Sequence, residues 1–263
     1  MILSNNGIIQ SGKSLGGGGG GGGGVDPFAA NVVLFLKGNG TNDTNIVDNS
    51  SFNHSIMNQN GVINTINPKK YGLGSLFFSG ANYLILGSDF VSNFDPFAGS
   101  KKTIDSLIKI TEPATYWVSG IIGNYRAVPA NGRWRMGYTT SSSLINPNPT
   151  ISLHFTWTTS QGTETEVVFT QPYVNDFNHL AACIDSTIPQ ATIIYLCING
   201  VVQAFNNNNF ASQTTLYNAH AHTIGGGMDY TTAIKAHVNV LRLTKNVRYT
   251  ANFNVETDTY LNV

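Results

Sequence analysis

Residues 16 to 24 are nine consecutive glycines, and no other feature of the chain constrains its folding as sharply. Glycine has the most backbone freedom to lose on folding and no side chain to bury, so this run cannot nucleate a core. As a coil its ends would sit roughly 17 Å apart, and fully stretched it would reach about 30 Å. It therefore separates a short arm, residues 1–15, from one large unit, residues 25–263. The run reads either as a passive linker or, in an oligomer, as a collar where three tails converge and only backbone without Cβ fits near the axis. The arm carries Ile2, Leu3, Ile8 and Ile9 among polar residues. Such a segment can add as a strand to the sheet edge of another subunit, which makes it a docking device.

Beyond the glycines every strong local signal is of the β type. Asn31–Lys37 (NVVLFLK) is an apolar run closed by Gly38-Asn39-Gly40, a turn signal. Further strands are predicted over Ser75–Phe78, Tyr83–Leu86, Tyr116–Ile122, Arg133–Tyr138, Ile151–Thr158 and Glu164–Thr170. They continue with His179–Asp185, Thr192–Ile198, Val201–Phe205, His222–Ile224 and Val238–Thr244. Most are bounded by Gly, Asn, Pro or Ser, and a spacing of about ten residues is that of a sandwich or barrel. Asn199-Gly200, between two apolar runs, fits a two-residue type I′ hairpin. Helical spacing occurs only at Thr103–Lys109, where Ile104, Leu107 and Ile108 permit a helical turn or a strand equally.

Charged residues make up 11% of the chain, 14 basic and 14 acidic. Phosphate binding needs a clustered excess of Lys and Arg, so neither nucleic acid nor an anionic membrane is the expected partner. No stretch approaches the ~18 uninterrupted apolar residues of a membrane-spanning helix, so no membrane insertion is expected. The remaining polarity lies in amides and hydroxyls, with 31 Asn. A neutral surface of this kind suits an extracellular or particle-borne protein. Residues 1–6 have neither the basic region nor the apolar core of an export signal, so lysis of an infected host is the expected route out. Folding in a reducing cytosol would leave Cys183 and Cys197 as buried thiols, although they fall on neighbouring predicted strands.

Catalytic patterns are sparse. Glycan hydrolysis needs two carboxylates flanking one bond. Of the four Glu, only Glu164 and Glu166 share a strand face, and they read as a solvated face after the Gln161-Gly162 turn. No nucleophile elbow, zinc-protease helix or phosphate loop occurs. The chain is therefore expected to be no enzyme and to need no cofactor. Aromatic residues remain as ligand contacts. Tyr125, Trp134, Tyr138 and Trp157 lie near stretches rich in Asn, Ser and Arg, among them Arg126. Sugars stack on aromatic faces and take hydrogen bonds from amides and guanidiniums, so Tyr125, Arg126, Trp134, Tyr138 and Trp157 form a candidate glycan site. The alternative is that these rings fill the core, as most aromatics do.

Three stretches carry a family resemblance. The first is Phe78-Ser79-Gly80-Ala81-Asn82-Tyr83-Leu84, and the second is Phe177–Ala182 with the hairpin segment Ile194–Gly200. The third is Thr223–Gly226 with Val238–Tyr249. In this order they resemble the concanavalin A-like, laminin G-type lectin/glucanase domain, in the form appended to phage tail and head-decoration proteins. The likeness runs from about residue 31 to 255. It implies an all-β fold, a two-sheet antiparallel jelly-roll sandwich, here preceded by the extended arm. It also implies one calcium at a loop edge, held by hard oxygen ligands. Asp48, in Asp48-Asn49-Ser50-Ser51-Phe52-Asn53-His54, would be its ligand; a plain Asp-capped turn is the alternative.

The expected protein is thus a non-enzymatic virion component, a head decoration or a tail fibre, made in the host cytoplasm and assembled as a homotrimer. Its arm would dock on other virion proteins of the capsid or tail, and its sandwich would contact a host-surface glycan weakly. A secreted lectin-like adhesin is the second reading and a glycan hydrolase the third.

Overall fold

Apolar residues two apart put most of the chain into strands, and register between those strands then lays out the core. The computed structural model describes residues 26–91, 94, 100–114, 118–124, 133–141, 148–158, 163–188, 191–207, 222–226 and 233–255. The arm with Ile2, Leu3, Ile8 and Ile9, and the glycine run, lie outside the described residues. The first strands are β1 (Val32–Lys37), β2 (Ile56–Gln59), β3 (Ile63–Thr65), β4 (Ser75–Ser79), β5 (Tyr83–Leu86), β6 (Lys101–Ile110) and β7 (Ser119–Gly123). Then come β8 (Trp134–Thr140), β9 (Thr150–Thr158), β10 (Glu164–Pro172) and β11 (Asn178–Ile188). The last are β12 (Ala191–Ile198), β13 (Val201–Asn207), β14 (His222–Ile224) and β15 (Lys235–Thr244). One short helix, α1 (Ser88–Val91), follows β5.

All named strand pairs are antiparallel and fall into two sheets, a sandwich. The first sheet has eight strands in the order β13-β12-β11-β6-β15-β4-β3, with β1 pairing β15. The second has seven, in the order β10-β9-β8-β7-β14-β5-β2. Across the second sheet, Val167, Phe155, Met136, Ile122, Ile224 and Leu84 stand opposite one another on six successive strands. Leu243, Ile104, Ala182 and Leu196 form a matching row on the first sheet. Both rows belong to one apolar core.

The Thr103–Lys109 ambiguity resolves as strand β6. Ile104, Ile108 and Ile110 enter the main core, while Leu107 points to the opposite face with Val32, Phe35, Phe177 and Val240. A central strand buried on both sides has no polar face, so its sequence carries no clear period. β2 and β3 were not expected, because Met57-Asn58-Gln59 and Asn64-Thr65 are polar and pair only through β5 and β4. Asn199 and Gly200 have φ of 50° and 82°, the two positive values a type I′ turn requires. Cys183 stands opposite Tyr195 and Cys197 opposite Ala181, two residues out of direct register, and both are free and buried. Burial pushes the Cys183 thiol up to about 11, which leaves it unreactive.

The outer face of the first sheet is closed by the segment after β15. Arg242 of β15 lies directly opposite Asp105 of β6. Its Nε is 3.2 Å from Asp105 Oδ2, its Nη1 is 3.1 Å from Asp26 Oδ2, and its Nη2 donates to the Tyr249 hydroxyl at 3.2 Å. Arg248 Nη2 reaches the same Asp26 oxygen at 2.8 Å. Two carboxylates and two guanidiniums thus neutralise one another with side chains 0–3% exposed. The cluster binds the residue two positions after the last glycine into the middle of the sheet.

His179 lies under the same cover, 5.2 Å from Tyr249 and 5.5 Å from Phe253, which stack on each other. Burial, then the charges of Arg242 and Arg248, push its pKa down to about 3 from 6.5. The unfolded chain therefore takes up a proton that the folded chain refuses. Stability from this group is complete above pH 6.5 and should fall by about 1.4 kcal/mol per pH unit below it, toward pH 3. Denaturant midpoints at pH 7 and pH 5 should show this slope, and His179→Gln should flatten it.

Candidate functional site

Asp48 sits in a turn packed against β1, 2% exposed. Its Oδ1 accepts from the backbone N–H groups of Phe35 and Ser50, each at 2.9 Å. Its Oδ2 accepts from the Ser50 hydroxyl and the His54 backbone N–H, each at 2.9 Å, and lies 2.8 Å from His54 Nδ1. Both oxygens are therefore filled by donors, and a cation would have to displace hydrogens that point at the same lone pairs. Asn239 likewise spends its amide on Tyr71 and Gly74 backbone. Among the described residues no group of three or more His, Cys, Asp or Glu could hold a metal. The donor set does not fit calcium, and of the two readings of Asp48 these hydrogen bonds describe the Asp-capped turn. Added calcium should leave the melting temperature unchanged. Asp48→Ala should lower it by several degrees, since each buried donor left unpaired costs about 1–3 kcal/mol.

The candidate glycan rings separate in the same way. Trp134, Tyr138 and Trp157 are all 0% exposed and belong to the main core. Trp134 faces Trp157 across β8 and β9, and packs on Phe94, Phe155 and His222 at centroid distances of 5.6–6.3 Å. Burial pushes the Tyr138 phenol above its ordinary range. A ring with no exposed surface cannot stack on a sugar, so these three residues are core, not ligand contacts. Tyr125 and Arg126 lie outside the described residues.

What β8 and β9 do present outward is their alternate set. Register places Glu166, Thr156, Arg135, Gly123, Thr223, Ile85 and Met57 in one row across the outer face of the second sheet. At its polar end His154 Nδ1 lies 2.8 Å from Glu166 Oε1, and the Thr156 hydroxyl donates to the same oxygen at 3.1 Å. Arg135 Nε donates to Thr156 at 3.5 Å, and its Nη2 is 3.8 Å from Glu164. The other nitrogen of His154 is 2.9 Å from the Thr139 hydroxyl. In mid-sheet a Cβ on Gly123 would meet Trp134 O at 2.4 Å, and one on Gly137 would meet Ser119 O at 2.6 Å. The strands approach so closely there that only bare backbone fits. The signal for this face was present in β9, where Ser152, His154 and Thr156 alternate with Leu153, Phe155 and Trp157.

Burial alone would raise the pKa of half-buried Glu166, but the hydrogen bond and charge of His154, then Thr156 and Arg135, outweigh it and hold the carboxyl below its ordinary value. A glycosidase acid needs a raised pKa so that it carries a proton at working pH. Glu164 and Glu166 also stand side by side on the edge strand β10, Glu164 3.8 Å from Arg135 and Glu166 2.8 Å from His154, rather than facing each other across a bond.

Solved structures share this architecture. The receptor-binding domain of botulinum neurotoxin C/D mosaic serotype matches with a TM-score of 0.58 at 12% identity, over 84% of this chain and 49% of that one. The binding domain of botulinum neurotoxin DC in complex with SialylT matches at 0.54 and 18% identity, with the same coverages. The same domain in complex with rat synaptotagmin II matches at 0.53 and 16%, again over 84% and 49%. At these identities the likeness shows the fold alone, a β-sandwich. The chain spans about half the length of the structures it matches. No family model and no curated protein matches the chain.

Proposed function

We propose that this chain is a non-catalytic display module of a virion, a head decoration or tail fibre, whose laminin G-like sandwich is held on a glycine leash and presents a lectin-like face to host glycans. The observation that carries the reading is the grip on Asp26. A body that hangs from a leash must receive the pull at a point that does not peel, and Asp26 is bound by Arg242 and Arg248 within a fully buried cluster. Three such leashes meeting in a glycine collar give the homotrimer, with the arms docked on capsid or tail proteins.

The glycan element has separate support. Structural neighbours include binding domains solved with SialylT, and one from a neurotoxin type C whose cell entry depends on two ganglioside molecules. On this chain, His154 and Glu166 are the more exposed members of the outer-face cluster and would offer hydrogen-bonding groups to sugar hydroxyls, with Thr156 and Arg135 buried behind them, and Tyr125 and Arg126 follow β7 directly in sequence. The edge-strand carboxylates favour binding over hydrolysis, for the reasons given above.

Deleting residues 1–15 tests the reading. The truncated protein should still fold and melt cooperatively but be missing from purified particles. Unchanged binding to cells together with no need for a particle would instead identify a free adhesin. Reducing-sugar release from a polysaccharide panel should stay at background; release that Glu164→Gln abolishes would make the protein a hydrolase.

A further inference from the structure

A groove of ≈440 Å³ opens on the outer face of the first sheet. Buried Leu107 and Phe177 line it together with Phe253 and Val255, and the Lys70–Asp176 pair stands at 3.9 Å with both side chains partly exposed. The size is that of a ligand pocket rather than of a strand-long cleft. Its position matters more than its size. Leu107 follows Asp105 by two residues on β6, so it lies on the same face as the cluster that grips Asp26. Leu107, Phe177 and Val255 also share one apolar cluster with Val32, six residues beyond Asp26. The groove therefore adjoins the point where the leash begins.

We propose that this groove seats the N-terminal arm of the same chain, through Ile8 and Ile9, while the subunit is free. An arm with five large aliphatic residues needs cover in water until its assembly partner supplies it. The eighteen residues from Ile9 to Asp26 span roughly 23 Å as a glycine-rich coil, so the groove lies within easy reach of the arm. A tether of that length holds the arm at a millimolar-scale local concentration, and a weak contact is then well populated. Lys13 is the one charged side chain of residues 1–15, and Asp176, with its side chain 52% exposed, is the acid at the groove. Docking on a particle would draw the isoleucines out and leave the groove open, so the free arm is protected and the assembled arm is not.

The test uses the full chain with a nitroxide attached at Gln10→Cys. The two native thiols are fully buried and do not compete for the label. The amide signals of Phe177 and Asn254, at the groove, should lose intensity several-fold relative to the reduced label, and tenfold dilution should not change this. Val174→Arg, at a position 47% exposed, fills the groove and repels Lys13; it should restore the signals in an otherwise unchanged spectrum. The proposal is overturned if the signals keep their intensity, or if Val174→Arg does not restore them. It is equally overturned if they weaken only when the label sits on a different molecule from the observed amides, which would make a second copy the occupant. A subunit without this contact can still join a particle through its arm, so particle incorporation and the spin-label result fail independently.

Discussion

Arg242→Ala should lower stability by about 3–5 kcal/mol and the melting temperature by roughly 6–20 °C. The guanidinium is fully buried and its three nitrogens serve three partners, Asp105, Asp26 and Tyr249. Removing it leaves two buried carboxylates to the single charge of Arg248, which lies 2.8 Å from one and 3.9 Å from the other. Arg242→Lys should fail nearly as badly, because one ammonium cannot reach partners on three sides of a planar fork. The double change Arg242→Met with Asp105→Leu should cost less than either single one. A buried pair exchanged for apolar side chains gives up its attraction and its desolvation cost together. Calorimetry on the four proteins measures the coupling. A fall below about 2 °C for Arg242→Ala would mean that the cluster is wet, and the anchoring role of Asp26 would go with it.

Trp134→Ala should cost about 3–5 kcal/mol, the range for emptying the site of a large core aromatic. The residue fills the space between Trp157, Phe155, Phe94 and His222 and has no exposed surface. Arg135→Ala, one residue along β8 on the outer face, should behave in the opposite sense. It should lower stability by about 1 kcal/mol, the net worth of a hydrogen bond lost from a side chain 8% exposed, and weaken any sugar binding on the second sheet through the Thr156–Glu166 contact it supports. Glycan-array binding and melting curves on the two variants separate the faces of the strand. Loss of sugar binding by Trp134→Ala at unchanged melting temperature would return that ring to the ligand site and refute its place in the core.

The two faces of β8 illustrate what was and was not legible. The alternation Trp134-Arg135-Met136-Gly137-Tyr138 announces a strand, but both of its sides carry residues that suit sugar binding. Which side turns inward depends on pairing with β7 and β9 and on the sheet opposite, none of which is local. The Asp48 turn is similar. An Asp followed two residues later by Ser reads equally as a cap or as a cation loop. The choice was made by Phe35 N–H, thirteen residues earlier, and by His54, six later.

Local sequence by itself determined that this is a β protein and that Asn199-Gly200 closes a hairpin. These follow from backbone preferences and from period-two burial, which act over a few residues. Tertiary structure alone decided that the run around Ile104 is a central strand, that the tryptophans are core, and that the polar face is Arg135, His154, Thr156 and Glu166. It alone joined Asp26 to Arg242 and Arg248, across 216 and 222 residues. Charge pairing and burial depend on which surfaces meet in space, and contacts separated by that much chain leave no periodic trace in either partner's surroundings.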